Sequence, residues 1–286
     1  MYDAIEHKIV YLMMNLKGFK MNDLIESYLG VTEERKKSKV PAKMDFIQST
    51  TGLILALFMW AHMIFVASIL FGNEAMYQVT KMMEASFLIH GGSPIIVTIF
   101  AVIISVIFIV HAIMGVRKLP INYKQYKLIK THSKSMAHGD TKLWFIQAYT
   151  GFAMFFLGSV HLFIIMTHSS DIGPYASSDR IWSAYMWPLY ILLLLAVEFH
   201  GSIGLYRLCV KWGWFDGKNP KESRIKLKKA KWLVTIIFLL LGVLSLAAYI
   251  KIGIYHADQN GQRYTPTAYT QTQINIPTHK TIRGLV

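Results

Sequence analysis

Five stretches of roughly twenty residues are almost free of charge. They start near Thr50, Ile95, Leu143, Tyr185 and Trp232 and end near Phe71, Val116, Met166, Tyr206 and Ile250. Each is long enough to cross a bilayer core of about 30 Å as a helix. They are too long and too closely spaced to be buried helices of one soluble domain, and the connections hold the polar residues. The chain therefore reads as an all-α polytopic membrane protein with five transmembrane helices in a bundle. Its 16% of charged residues is low against about 25% in ordinary soluble domains.

Basic residues orient the bundle, because positive charge in short flanking segments stays on the cytoplasmic side. Arg35, Lys36, Lys37, Lys39 and Lys43 precede the first span, Arg117 to Lys142 holds seven Lys and Arg, and Arg207 to Lys231 holds nine. The first-to-second connection has only Lys81 and the third-to-fourth only Arg180. The N-terminus is thus expected on the cytoplasmic side and the C-terminus on the outer side. The formal charge of +14 is mainly topological, and with no recognition motif beside it no nucleic-acid partner is expected. So basic a face could also dock an acidic partner subunit, although positive-inside bias explains it equally well.

One cysteine, Cys209, excludes an internal disulfide, a Cys-ligated iron–sulfur cluster and a Cys-x-x-Cys-His haem attachment. The N-terminus lacks the pattern of a cleaved secretory signal, so insertion is expected to use the internal spans.

The sequence repeats itself. Gln48, Thr51, Gly52 and His62 on the first span share their spacing with Gln147, Thr150, Gly151 and His161 on the third. On the second and fourth spans, His111 precedes Gly115 and His200 precedes Gly204 by the same four residues. The first two helices read as a copy of the next two. Four of the eleven histidines lie in spans, one on each of the first four. An intramembrane histidine is costly and faces the protein interior or a functional site. A single one is often only an interhelical hydrogen bonder, but four in a duplicated frame would require four coincidences.

Depth pairs them. His62 and His161 lie fourteen residues beyond their inner-edge glutamines, or roughly 21 Å at 1.5 Å per residue, toward the outer leaflet. His111 and His200 lie seven residues before Lys118 and Arg207, roughly 10 Å from the inner edge. Two histidines at equal depth on neighbouring helices suit bis-imidazole ligation of haem iron, whereas zinc would need three or four ligands. Two stacked b haems are expected, with His62, His111, His161 and His200 as the axial iron ligands. Gly115, Gly158 and Gly204 lie one turn from three of the ligands, where a porphyrin could approach the helix. Small-residue packing between membrane helices explains them equally.

Haem propionates need cationic or hydrogen-bonding partners at the membrane edge. Arg207 and Lys211 share the face of His200, and Gln48, Ser49 and Trp144 sit at the same inner edge; for the outer haem Arg180 is the nearby strong cation. Snorkelling to lipid headgroups is the competing explanation for each basic residue. Glu198 lies within the fourth span, where a carboxylate is rare unless it handles protons or pairs with a charge. At two residues before His200 it is turned about 200° from the haem face, so a proton role is expected rather than iron ligation. Glu84, beside Lys81 in an outer connection, reads by composition as a solvated salt bridge.

The runs SYLGVTEERKKSKVPAKMDFIQSTTG, RKLPINYKQY, HGDTKLWFIQAYTGFAMFFLGSVH, MWPLY and VEFHGSIGLYRLCVKWGWFDG resemble the dihaem cytochrome b subunit of epsilonproteobacterial quinol:fumarate reductases. The similarity runs from about Leu24 to about Tyr249 and extends, more distantly, to the dihaem anchor of menaquinone-linked succinate dehydrogenases. The resemblance implies a bacterial inner-membrane complex. In it a flavoprotein subunit carries FAD, an iron–sulfur subunit carries three clusters, and this chain anchors both while oxidising menaquinol. It implies that His111 and His200 hold the inner haem and His62 and His161 the outer one. It also implies that Glu84 is the quinol-site carboxylate, against the reading from composition, and that Glu198 is the transmembrane proton relay. Electrons would then pass from menaquinol through the two haems to the iron–sulfur subunit.

The ends depart from the family. Residues 1–23 read as an extension, with Met21 one candidate start and a short amphipathic interfacial helix the other reading. Residues 24–250 form the dihaem membrane domain, and residues 251–286 read as a flexible extracytoplasmic tail. Three alternatives compete: the anchor of a succinate:menaquinone reductase, the cytochrome b of a membrane hydrogenase or formate dehydrogenase, and a transporter with structural histidines. The duplicated pattern and Glu84 argue against the second.

Overall fold

The structure, a computed structural model, describes Gly30, residues 36–136 and residues 139–266. The N-terminal extension and the last part of the tail lie outside the described residues. Among the described residues eight α-helices follow one another: α1 Val40–Val66, α2 Asn73–Met83, α3 Pro94–Val116, α4 Tyr123–Met136, α5 Gly139–Thr167, α6 Pro174–Ile181, α7 Trp187–Trp212 and α8 Pro220–Tyr255. Short 3-10 turns, Ala67–Phe71 and Ala257–Gln259, follow α1 and α8. Five of the helices, α1 with its 3-10 turn, α3, α5, α7 and α8, are long and apolar enough to cross a membrane. These are the five spans read from hydropathy.

Their ends obey local chemistry more than hydropathy. Proline opens α3, α6 and α8, where its missing N–H would have had no intrahelical partner. At α8 the Asn219 side-chain carbonyl also accepts from the N–H groups of Lys221 and Glu222, an N-cap. As a result α8 runs for 36 residues, well beyond the apolar stretch from Trp232 to Ile250. Lys, Arg and Glu are good helix formers, so the helix does not stop where the hydrocarbon does.

The chain divides into two compact units. One takes the described residues up to Leu57 together with Ile104–Phe152 and His200–Lys231. Met44, Ile104, Ile203, Tyr206 and Cys209 are buried in it. The Tyr206 hydroxyl donates to Asp140 at 3.1 Å, and Lys228 pairs with the same carboxylate at 2.7 Å.

The other takes Phe58–Ile103, Ala153–Phe199 and the described residues from Trp232 onward. Its core is Ile69, Met76, Ile181 and Tyr249; the Tyr249 hydroxyl donates to the Val66 carbonyl at 3.3 Å. Trp60 stacks on Phe238 at 5.5 Å. Large apolar side chains such as Ile64, Phe163, Leu233 and Leu240 stay exposed, as expected of residues that face lipid.

The tail expected to be flexible from residue 251 is ordered through its described part. α8 continues to Tyr255, and His256 beyond it is buried, with its Nδ1 2.9 Å from the Asp179 carboxylate. Composition rich in Thr, Gln and Asn masked a docking sequence of few but specific contacts. Residues 267–286 lie outside the described residues.

Candidate functional site

In the first unit the rings of His111 on α3 and His200 on α7 lie nearly perpendicular, with centroids 6.3 Å apart. The duplicated motif orients both. The Gln147 carbonyl lies 2.9 Å from His200 Nδ1, and the Gln48 carbonyl lies 3.2 Å from His111 Nδ1, with the Thr51 hydroxyl also at 3.2 Å. A carbonyl only accepts, so Nδ1 carries the proton and Nε2 keeps its lone pair for a metal.

Glycine then lets each ring approach. A Cβ at Gly52 would stand 2.7 Å from the His111 ring, and one at Gly151 would stand 2.7 Å from the His200 ring. By contrast, a Cβ at Gly115 or Gly204 would meet the Gln48 or Gln147 amide, at 3.4 Å and 3.0 Å. The glycines after the histidines thus pack against glutamine, while those of the Q-x-x-T-G runs make room for the imidazoles. Sequence reasoning found the repeat but not this job. The signal was present, since Gly recurred at one fixed offset from the Gln.

The motif carries a direct test. Gly52→Ala or Gly151→Ala should displace the adjacent imidazole at an overpacking cost of about 1–3 kcal/mol, and Gly115→Ala should do less. Thermal unfolding and the low-temperature haem EPR spectrum of each variant would check the order.

In the second unit His62 on α1 and His161 on α5 lie with ring centroids 6.1 Å apart. Phe58 stacks on His62 at 5.7 Å, and Tyr190 presents its ring edge-on to His161 at 5.6 Å. His161 Nδ1 is buried with no hydrogen-bond partner among the described residues. The Q-x-x-T-G carbonyl device therefore serves His111 and His200, on the helices paired with the motif, and not the histidines that follow it.

Both spacings suit one metal per pair. An imidazole nitrogen bonds a transition metal at about 2 Å and the ring centre lies about 1.1 Å behind it, so two imidazoles sharing a metal place their centroids roughly 6.2 Å apart. Among the described residues no group of three or more His, Cys, Asp or Glu could hold a metal ion. Two protein ligands per metal fit haem iron, so the residues present fit the group.

The inner-edge residues named from sequence come together in part. Lys211 donates to the Ser49 hydroxyl at 3.3 Å, and Arg207 donates to the Gln147 side-chain carbonyl at 2.6 Å. Trp144 lies one turn before Gln147 on α5. Asp45 was missed: it takes Arg117 at 2.6 Å, Lys118 at 2.8 Å and Lys211 at 3.2 Å. Burial pushes the Lys118 ammonium below the usual lysine range. A lone acid three residues before Gln48, among so many cations, was the available signal. Three cations on one carboxylate leave positive charge to spare, which suits an anionic group beside the His111–His200 pair.

Glu84 sits at the C-terminal end of α2 and is 4% exposed, with Lys81 2.7 Å from its Oε2. The salt bridge expected from composition exists, but its carboxylate is not solvated. Gly92, at φ +76, closes over it, and a Cβ there would stand 2.8 Å from both Glu84 Cβ and Oε2. Glu198 is fully buried in α7. Arg180, on α6, donates to the Asp171 carbonyl. The Arg263 guanidinium beside Asp171 holds that carboxyl below the usual carboxylate range.

Whole-chain comparison adds identity to geometry. The fumarate reductase cytochrome b subunit of Wolinella succinogenes is 56% identical over 237 residues, covering 83% of this chain and 93% of its own length. Two Helicobacter pylori proteins of the same name are each 52% identical over 239 residues, covering 84% of this chain and 92% of theirs. Residues 123–244 match the family described as succinate dehydrogenase/fumarate reductase transmembrane subunit. This chain belongs to that family. The transmembrane-subunit match takes in His161 and His200, and the longer relatives extend the likeness across most of the chain. As a member of the family with five apolar helices, the chain is a multi-pass bacterial membrane protein. Membership decides against the transporter reading.

Proposed function

We propose that this chain is the membrane anchor and dihaem cytochrome b subunit of a menaquinol:fumarate reductase. Its family makes it a subunit of an oxidoreductase complex. The observation that carries the finer reading is the two imidazole pairs, with centroids 6.3 Å and 6.1 Å apart, set in a duplicated frame. The relatives' name, fumarate reductase, favours fumarate reduction over succinate oxidation.

In this reading the N-terminus is cytoplasmic and the C-terminus periplasmic, as the basic connections require. His111 and His200 would hold an inner haem b and His62 and His161 an outer one. When bound, the haems supply one-electron transfer between menaquinol and the iron–sulfur subunit. Gln48, Ser49, Trp144, Arg207 and Lys211 would receive inner propionates, and Arg180 an outer one. The buried Glu84 carboxylate accepts a proton from a menaquinol hydroxyl as the quinol loses electrons. Lys81, 2.7 Å from its Oε2, holds that carboxylate in place. Glu198 relays protons through the membrane. The basic inner face docks the iron–sulfur subunit, which with the FAD-bearing flavoprotein completes the complex and holds the dicarboxylate site.

The purified complex is expected to show two haems b per chain in a pyridine haemochrome assay and to reduce fumarate with a menaquinol analogue. Well-folded complex without haem would sink the reading.

A further inference from the structure

Beyond α8 the chain folds back onto α2 and α6, both within the second unit. His256 Nδ1 lies 2.9 Å from Asp179 Oδ1, and the Gly261 N–H donates to Asp179 Oδ2 at 3.0 Å. Tyr175 stacks on the buried His256 ring at 4.2 Å. Arg263 binds the Asp171 carboxylate, while the Asp171 carbonyl accepts from Arg180. The residue before Arg180 and the residue that receives its guanidinium are therefore both held by the C-terminal segment.

A second arm reaches toward Glu84. The Tyr264 hydroxyl donates to Glu74 Oε2 at 2.9 Å, at the start of α2. Its ring lies 5.8 Å from the ring of Tyr77 and 5.3 Å from that of Tyr175. Lys81 Nζ stands over the same Tyr77 ring at 5.8 Å and reaches Glu84 at 2.7 Å. A chain of direct contacts thus runs from Tyr264 through Tyr77 and Lys81 to the Glu84 carboxylate. A cation over a tyrosine face is drawn to the ring's negative quadrupole, so its position depends on where the ring is placed.

We propose that residues 256–264 form a positioning strap for the quinol site, setting Arg180 through Asp171 and Asp179 and setting Lys81 and Glu84 through Tyr77. The proposal rests on the reading of Glu84 and of the His62–His161 haem given above. None of these residues touches the reacting atoms; they fix the groups that do. Short contacts of this kind matter because small misplacements around a reacting centre lower rate or binding steeply.

The test uses the whole purified complex with a water-soluble naphthoquinol as donor. Tyr264→Ala should raise KM for the quinol about tenfold while kcat holds within about twofold, and Tyr264→Phe, which keeps the ring, should recover most of it. His256→Ala should shift the midpoint potential of the haem lost in His62→Ala and leave the other haem unchanged, and His256→Asn, which can still donate to Asp179, should reverse the shift. If His256→Ala does not assemble, Arg263→Ala, on the exposed end of the strap, reports on the same arm. Wild-type KM and potentials in Tyr264→Ala and in His256→Ala or Arg263→Ala would overturn the strap. Glu84→Gln separates the two levels: if it is inactive while the strap variants behave as wild type, only the strap fails. If Glu84→Gln oxidises quinol normally, the quinol-site reading fails and takes the strap with it.

Discussion

Replacing His200 with alanine is expected to remove one of two haems b and leave the other in place, halving the reduced-minus-oxidised absorbance of the complex. His111→Ala should lose the same haem, and His62→Ala and His161→Ala should both lose the other. The expectation rests on geometry. Each pair brings two imidazoles to a spacing that fits one metal, with centroids 6.3 Å and 6.1 Å apart, and the two pairs belong to different compact units. Iron left with one axial imidazole would bind weakly and change spin state. The low-spin EPR signal of one haem should therefore vanish in each variant even where some pigment remains. Any cross-pairing of the losses, such as His62 with His200, would overturn the assignment.

The second large effect is expected at Glu84. Glu84→Gln should cut quinol-dependent fumarate reduction by about 10²–10⁴-fold, the usual reach of a general base. Both haems should be retained, and so should activity with an artificial donor that feeds the iron–sulfur subunit directly. The substitution preserves shape in a site where Gly92 leaves no slack, so steric disturbance is small. What it removes is the ion pair to Lys81 and, on the proposed reading, the proton acceptor. Loss of activity with both donors would place the fault outside the quinol site, and full activity with quinol would remove Glu84 from the mechanism.

Much of this was legible in residue order. Five apolar runs had to become helices, because an unpaired backbone group in hydrocarbon costs several kcal/mol. The four histidines stood out because a costly residue recurred in a duplicated frame. Helical rise then gave their depth and so their partners. Residue order left other things hidden. It offered Gly115, Gly158 and Gly204 for the approach of a porphyrin or for small-residue packing, and gave no sign that the imidazoles press on Gly52 and Gly151, on other helices. Asp45 looked like one acid among many bases, and folding gathers three of those bases around it. Glu84 looked solvated because its sequence neighbours are polar, but burial is set by what folds over a residue, here Gly92. The segment after residue 250 looked loose by composition, and its described part is pinned by a few contacts to residues 77 to 190 positions earlier in the chain.

The sequence alone therefore determined the membrane class, the five spans, the charge asymmetry of their connections and the candidate haem ligands. Each of these follows from a local rule that acts along one helix: transfer free energy, flanking charge or rise per residue. Only the tertiary structure decided which carbonyl orients which imidazole, which glycine yields to a ring, how Glu84 is enclosed and where the C-terminal segment docks. Those outcomes depend on distances between residues far apart in the chain, and no periodicity within a single helix encodes them.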